Sequence, residues 1–145
     1  MGAFYPPKAV VIDPLCLKTL DKRQIANGLA EAIKMSLTSD KSLFQLIKNE
    51  DISKSIELII EKSLLIKKDV VEKDEKENGL RKVLNFGHTF AHAIETENLL
   101  ENYYHGECVA IGMLYMCSEN VKKELLPVLK KVSLPTEINV SADNL

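Results

Sequence analysis

Residues 84–95 read Leu-Asn-Phe-Gly-His-Thr-Phe-Ala-His-Ala-Ile-Glu, and they decide how the rest of the chain is interpreted. They lie in a stretch, residues 82–98, whose apolar positions recur at helical spacing and predict an α-helix. His88 and His92 are four residues apart, which places them on one face of that helix. His105 opens the next predicted helix, and an antiparallel helix pair would bring it back beside His88.

Imidazole groups in such a cluster favour a metal site. Neutral imidazole is the commonest metal ligand, and two histidines with one carboxylate and an open position are typical of catalytic zinc. Glu31 is the best candidate for the carboxylate, because an acid flanked by apolar helical residues is costly to bury without a partner. Two alternatives stay open: a surface ion pair between Glu31 and Lys34, and histidines that are simply hydrogen-bonded in the core or on the surface.

A stripe of polar side chains recurs at intervals of four, three and four residues: Arg81, Asn85, His88 and His92. On one continuous helix these side chains would project from the same side. Arginine binds phosphate or carboxylate through paired hydrogen bonds, and asparagine donates to and accepts from hydroxyls, so the stripe favours an anionic, hydroxylated ligand. Lys34 and Lys67 could add positive charge to the same cavity, and a water-exposed helix face is the alternative.

The remaining sequence predicts a mainly α-helical protein. Helical periodicity continues over four further segments and a short turn, at residues 23–37, 41–49, 52–72, 106–126 and 127–132. The segment at 106–126 is apolar almost all round, so we expect it at the centre, with Pro127 at its end. Residues 73–79 are charged and without periodicity, which predicts a surface loop.

One short strand is predicted near the N-terminus. Residues 9–14, Ala-Val-Val-Ile-Asp-Pro, are typical of a buried strand that ends at Pro14. No second convincing strand follows, and a lone strand cannot satisfy its backbone N–H and C=O groups. We therefore expect its sheet to lie in another domain or another chain, and this sequence to be a fragment.

Composition excludes several classes of protein. The chain has 145 residues, of which 46% are hydrophobic and 28% charged, an ordinary globular balance. No apolar run is long enough for a membrane span and no signal peptide is visible, so we expect a cytoplasmic protein without a membrane partner. The formal net charge of −2 argues against a nucleic-acid partner. Three cysteines without CxxC spacing are expected to be reduced thiols.

Four stretches together resemble the 3-dehydroquinate synthase family, whose members catalyse the second step of the shikimate pathway towards the aromatic amino acids. They are residues 84–95, already quoted, Phe-Tyr-Pro-Pro-Lys-Ala-Val-Val-Ile-Asp at 4–13, Gly-Leu-Ala-Glu-Ala-Ile-Lys at 28–34, and His-Gly-Glu-Cys-Val-Ala-Ile-Gly-Met at 105–113. The resemblance implies that residues 1–145 form a single helical C-terminal domain that binds metal and substrate. The family's N-terminal NAD-binding domain and its extreme C-terminal segment are expected to be missing from this sequence.

The resemblance also implies roles for individual residues. The positions that match the family's metal ligands, for zinc or cobalt, are Glu31, His88 and His105. The positions that match residues holding the substrate's carboxylate, hydroxyl and phosphate groups are Lys34, Lys67, Arg81, Asn85 and His92. The full-length protein is expected to use NAD and to form a homodimer.

The activity implied is that of an NAD- and metal-dependent carbon–oxygen lyase. It converts 3-deoxy-D-arabino-heptulosonate 7-phosphate, a sugar phosphate, into 3-dehydroquinate and phosphate. Because NAD could not be placed without its domain, we expect the isolated chain to show no turnover. The alternatives are a non-catalytic metal-binding helical module, a related sugar-phosphate cyclase, or a metal-dependent alcohol dehydrogenase.

Overall fold

A computed structural model describes residues 7–74, 79–96 and 103–138 of the chain. The helices within these ranges are α1 Lys22–Ser39, α2 Lys41–Asn49, α3 Ile52–Lys73, α4 His88–Thr96, α5 His105–Met116 and α6 Glu119–Lys131. Two 3-10 helices accompany them, at Pro14–Thr19 and Leu80–Asn85. The prediction of a mainly α-helical fold is confirmed, and none of the described helices is long and apolar enough to cross a membrane.

The predicted N-terminal strand is not formed among the described residues. Residues 7–13 contain no strand, and Val10 and Val11 are 72% and 92% exposed. Asp13 instead caps the first 3-10 helix, because its Oδ1 accepts a hydrogen bond from the Leu15 N–H at 2.9 Å. The β-branched residues favour a strand, but within the described ranges no neighbouring strand is present to pair with them.

The first three helices follow the predicted segments closely, because each starts at an aspartate that caps it. Asp21, Asp40 and Asp51 accept hydrogen bonds from backbone N–H groups of α1, α2 and α3 respectively. The buried faces of α1 and α2 then join the core, which includes Ile33 and Leu43, both fully buried. Glu31 and Lys34 therefore lie on a helix, α1, that packs against α2, α3 and α5.

The most apolar segment lies at the centre, as predicted, but it forms two helices instead of one. Gly106 to Leu114 are all buried, and α5 packs between α1 and α4. The predicted helix at 106–126 breaks at Cys117, whose backbone is extended, and α6 begins at Glu119. The break lets α6 turn back and bury Leu125 against the core, so Pro127 lies inside α6 and not at a helix end.

The predicted helix at 82–98 is also interrupted. Leu80–Asn85 forms a 3-10 helix, and α4 begins only at His88; residues 97–98 lie outside the described part of the chain. Gly87, between the two, has a φ of +83°, a left-handed conformation that favours glycine. The turn at Gly87 sets the direction of α4 relative to the 3-10 helix, and therefore the position of His88.

Close approach of α4 and α5 depends on a second glycine. A Cβ atom at Gly112 of α5 would lie 2.1 Å from the carbonyl oxygen of Gly87. That separation is far below any permitted contact, so only glycine allows the two backbones to pack this closely. The contact holds the first turn of α4 against α5.

We predict that Gly112→Ala destabilises the chain by about 1–3 kcal/mol, the usual cost of overpacking a well-packed interior. The matched control is Gly28→Ala on the exposed face of α1, where an added Cβ meets nothing within 4 Å. That substitution should stabilise by about 0.4–1 kcal/mol, since alanine restricts the unfolded chain and favours a helix. Urea unfolding of both variants measures the two effects, and a tolerated Gly112→Ala would show that the helices are not in this contact.

Candidate metal and substrate site

Three side chains from three different helices converge at one point. Glu31 comes from the middle of α1, His88 is the first residue of α4, and His105 is the first residue of α5. One ligand atom from each lies within 4.8 Å of the others. The Glu31 Oε1 atom is 3.9 Å from His88 Nε2 and 3.8 Å from His105 Nε2. The structure therefore brings together the three residues that the sequence grouped as metal ligands.

The two oxygens of Glu31 have different surroundings. Oε2 accepts a hydrogen bond from the buried Lys34 Nζ at 2.6 Å. Oε1 is buried, and no hydrogen-bond donor among the described residues reaches it. A buried carboxylate oxygen without a partner is costly, which points to a cation that binds there. Ligand atoms around a tetrahedral zinc ion are roughly 3.3 Å apart, so the observed separations need only a small closure.

His88 is held ready to act as a neutral ligand. Its Nδ1 lies 3.3 Å from the carbonyl oxygen of Phe86, which directs Nε2 towards Glu31. Burial, and then the positive charge of Lys34, hold the pKa of His88 below its usual value. A neutral imidazole has the free lone pair that metal binding requires.

A cavity of about 220 Å³ opens beside Glu31 and His88. Its other lining residues are Lys34, Met35, Lys67, Arg81, Leu84 and Asn85. Four of the five residues expected to hold substrate thus surround one space, three of them cationic. The fifth, His92, is not among the lining residues; its exposed ring lies 5.7 Å from that of His88, measured between centroids.

The expectation that Arg81, Asn85, His88 and His92 share one helix face is wrong. Arg81 and Asn85 belong to the 3-10 helix, whereas His88 and His92 belong to α4. What orients the 3-10 helix is Asp74, a buried residue at the end of α3. Its Oδ2 accepts hydrogen bonds from the backbone N–H groups of Gly79 and Arg81, at 2.8 and 2.9 Å. Asp74 was predicted to lie in a surface loop, and its role in orienting the 3-10 helix left no signal in the sequence; residues 75–78 of that loop lie outside the described ranges.

A second missed feature fastens the start of α5 to α1. Arg23 donates two hydrogen bonds to the carboxylate of Glu107, at 2.6 and 2.7 Å, and its guanidinium lies 4.4 Å above the Tyr104 ring centroid. The Asn27 side-chain oxygen accepts from the Gly106 N–H at 2.6 Å. Asn27 and Arg23 lie four and eight residues before Glu31 on α1, so both contacts fix where His105 enters the site.

Glu107 is ionised despite its burial. Burial pushes the pKa of Glu107 upward, but the Arg23 hydrogen bond, the Tyr104 N–H and the charge of Arg23 together hold the pKa below its usual value. A carboxyl whose pKa is lower in the folded state contributes stability above its unfolded pKa. That contribution disappears as the pH falls through the folded-state pKa.

We predict that Glu107→Gln lowers the free energy of unfolding at pH 7 by about 1–3 kcal/mol, since hydrogen bonds to charged groups are lost in a buried place. The difference from wild type should shrink as the pH falls below about 4, where Glu107 becomes protonated in the unfolded state, and it should disappear once the pH falls through the lower folded-state pKa. Urea unfolding at several pH values measures this, with the exposed Glu119→Gln as control. A difference that stays constant down to pH ~3 would contradict the account of Glu107.

Comparisons with known proteins show which family the chain is similar to. The family model described as 3-dehydroquinate synthase C-terminal matches residues 28–145. The chain is 45% identical over 150 residues to a 3-dehydroquinate synthase of Campylobacter concisus, covering 97% of this chain and 44% of that protein. It is 49% identical over 113 residues to one of Helicobacter pylori, covering 78% and 33%. The chain thus spans less than half the length of these relatives.

A solved structure is similar over almost the whole chain. It is 2-epi-5-epi-valiolone synthase from Streptomyces hygroscopicus subsp. jinggangensis with NAD+ and Zn2+ bound, and it is 26% identical with a TM-score of 0.84. The alignment covers 99% of this chain and 45% of that protein. The helical fold described above therefore occurs in a zinc- and NAD-bound cyclase.

Proposed function

This chain belongs to the 3-dehydroquinate synthase family, and we propose that it forms the metal- and substrate-binding half of such an enzyme. The whole protein would convert 3-deoxy-D-arabino-heptulosonate 7-phosphate into 3-dehydroquinate and phosphate, a carbon–oxygen lyase reaction of the shikimate pathway. The observation that carries the proposal is the unpaired Glu31 oxygen, which faces two histidines at the edge of a cationic cavity.

Glu31, His88 and His105 would hold the metal, zinc or cobalt. When bound, the metal would supply Lewis-acid polarisation of a substrate hydroxyl. Lys34 supports this arrangement by holding Oε2 of Glu31, so that Oε1 alone faces the histidines. Because Lys34 is almost fully buried, its charge also acts on the cavity without much screening by water.

The cavity suits a substrate that carries both a carboxylate and a phosphate. Lys34, Lys67 and Arg81 supply three positive charges around it, and Asn85 supplies an amide for hydroxyl groups. These cations would stabilise the negative charge that develops on a departing phosphate. His92 lies beside His88 but outside the lining, and its contact with substrate stays a prediction.

The rest of the enzyme would complete the chemistry. NAD, which supplies hydride transfer, would bind to a part of the protein outside this sequence, so the 145-residue chain alone is expected to show no turnover. The exposed apolar stretch at residues 10–12 would pair as a strand in the sheet of that part. A cytoplasmic homodimer is the assembly that we propose for the whole enzyme.

A related sugar-phosphate cyclase is the second candidate, because 2-epi-5-epi-valiolone synthase shares the fold with a TM-score of 0.84. Sequence identity favours the first candidate, at 45% to a 3-dehydroquinate synthase against 26% to that cyclase. Product analysis of the whole protein with the sugar phosphate substrate of each enzyme separates the two. If neither product forms, the remaining explanation is a metal-binding module without catalytic activity.

We predict that His88→Ala and His105→Ala each abolish stoichiometric zinc binding, because each removes one of the three grouped ligands and leaves only two. His92→Ala is the matched control, since His92 is also a histidine of α4 but lies away from Glu31 Oε1. Metal analysis after dialysis of each variant gives the stoichiometry. Zinc retained by His88→Ala, or lost from His92→Ala, would contradict coordination by Glu31, His88 and His105.

We also predict that Arg81→Ala weakens substrate binding to the whole enzyme by about tenfold or more, since a charged hydrogen bond contributes about 1.5–3 kcal/mol. Zinc content should stay unchanged, because Arg81 is not among the three grouped ligands. The control is Lys82→Ala, which removes an adjacent exposed cation. Isothermal titration measures both, and equal affinities in the two variants would contradict the proposed role of Arg81.

A further inference from the structure

A carboxylate outside the three-ligand cluster contacts one of its histidines. Glu95 Oε1 lies 2.7 Å from His105 Nδ1, a normal hydrogen-bond distance. Glu95 is 22% exposed, and His105, at 48%, is the more exposed of the two histidines facing Glu31. Because the ring of His105 is less enclosed by its surroundings, a specific neighbour is needed to hold it in place.

The hydrogen bond decides which nitrogen of His105 carries the proton. An ionised carboxylate only accepts hydrogen bonds, so Nδ1 must be the donor. In a neutral ring the lone pair then lies on Nε2, and Nε2 is the atom 3.8 Å from Glu31 Oε1. We propose that Glu95 is a positioning residue that fixes His105 in the tautomer and orientation needed to bind the metal. The inference rests on the proposed metal site.

The position of Glu95 in α4 supports this role. His88 is the first residue of α4, and Glu95 lies seven residues later, two helical turns along the same face. The helix α4 therefore provides one candidate ligand, His88, and through Glu95 it orients a second, His105. The Nδ1 atom of His88 lies 3.3 Å from the carbonyl oxygen of Phe86 and not near a carboxylate of the described residues. Of these two histidines, only His105 is oriented by Glu95.

An ordinary surface ion pair is the competing explanation, and it has different consequences. Exposed ion pairs contribute about 0–1 kcal/mol to stability and do not select a tautomer. A carboxylate that orients a metal-bound histidine typically changes metal affinity by about 10- to 100-fold when it is removed. Metal affinity and tautomer therefore separate the two explanations where stability would not.

The test uses the 145-residue chain with Glu95→Ala, and with Glu119→Ala as a control that removes an exposed carboxylate of α6. Competition against a chromophoric chelator gives the zinc affinity of each. Long-range proton–nitrogen NMR of the metal-free chain gives the tautomer of His105. We expect Glu95→Ala to weaken zinc binding about 10- to 100-fold and to release the Nδ1–H tautomer. Glu119→Ala should change neither.

Glu95→Gln keeps the shape of the side chain and serves if the alanine variant fails to fold. Its amide oxygen can still accept from Nδ1, so we expect a smaller loss of zinc affinity with the tautomer retained. Unchanged affinity and tautomer in Glu95→Ala, while wild type binds zinc through His88, would overturn the role of Glu95 and leave the metal site intact. A wild-type chain with the Nδ1–H tautomer but no zinc binding would overturn the metal site, and with it any role for Glu95 in binding metal.

Discussion

Two backbone contacts made possible by glycines of α5 hold the site together. A Cβ at Gly106 would lie 2.1 Å from the Asn27 carbonyl oxygen of α1, and one at Gly112 would lie 2.1 Å from the Gly87 carbonyl oxygen before α4. The first contact fixes α5 against the helix that carries Glu31, and the second fixes it against the helix that begins at His88. Three ligands from three helices can meet only because these backbones pack so closely.

The chemistry of the site follows from an imbalance at Glu31. Lys34 forms an ion pair with the carboxylate through Oε2, while Oε1 faces the Nε2 atoms of His88 and His105 at 3.9 and 3.8 Å and has no hydrogen-bond donor among the described residues. Burial and the charge of Lys34 hold the pKa of His88 below its usual value, and Nδ1 of His105 lies 2.7 Å from Glu95 Oε1. The same Lys34 faces the cavity with Lys67 and Arg81, so metal binding and anion binding share one buried cation.

Much of this arrangement could be predicted from sequence, and the rest fails for identifiable reasons. The first three helices were predicted correctly because apolar periodicity is a local signal, and the structure adds the capping aspartates at their starts. Glu31, His88 and His105 were grouped because their motifs resemble one family, and the structure places them together; their binding of metal stays a prediction. The predicted strand is not formed in residues 7–13, because Val10 and Val11 need a partner strand and the described ranges contain none.

Long-range contacts account for most of what was missed. Periodicity across residues 82–98 looks continuous, yet Gly87 changes the helix, so Arg81 and Asn85 do not share a face with His88. Asp74, and Glu107 with its partner Arg23, act through hydrogen bonds to residues distant in sequence or to backbone N–H groups, which leave no periodic pattern.

X-ray absorption at the zinc edge, on the chain loaded with one equivalent of zinc, tests the central claim most directly. Coordination by Glu31, His88 and His105 predicts only nitrogen and oxygen neighbours at about 2.0–2.2 Å, with the outer scattering of two imidazole rings. A sulfur neighbour at about 2.3 Å, or scattering from fewer than two imidazoles, would contradict it.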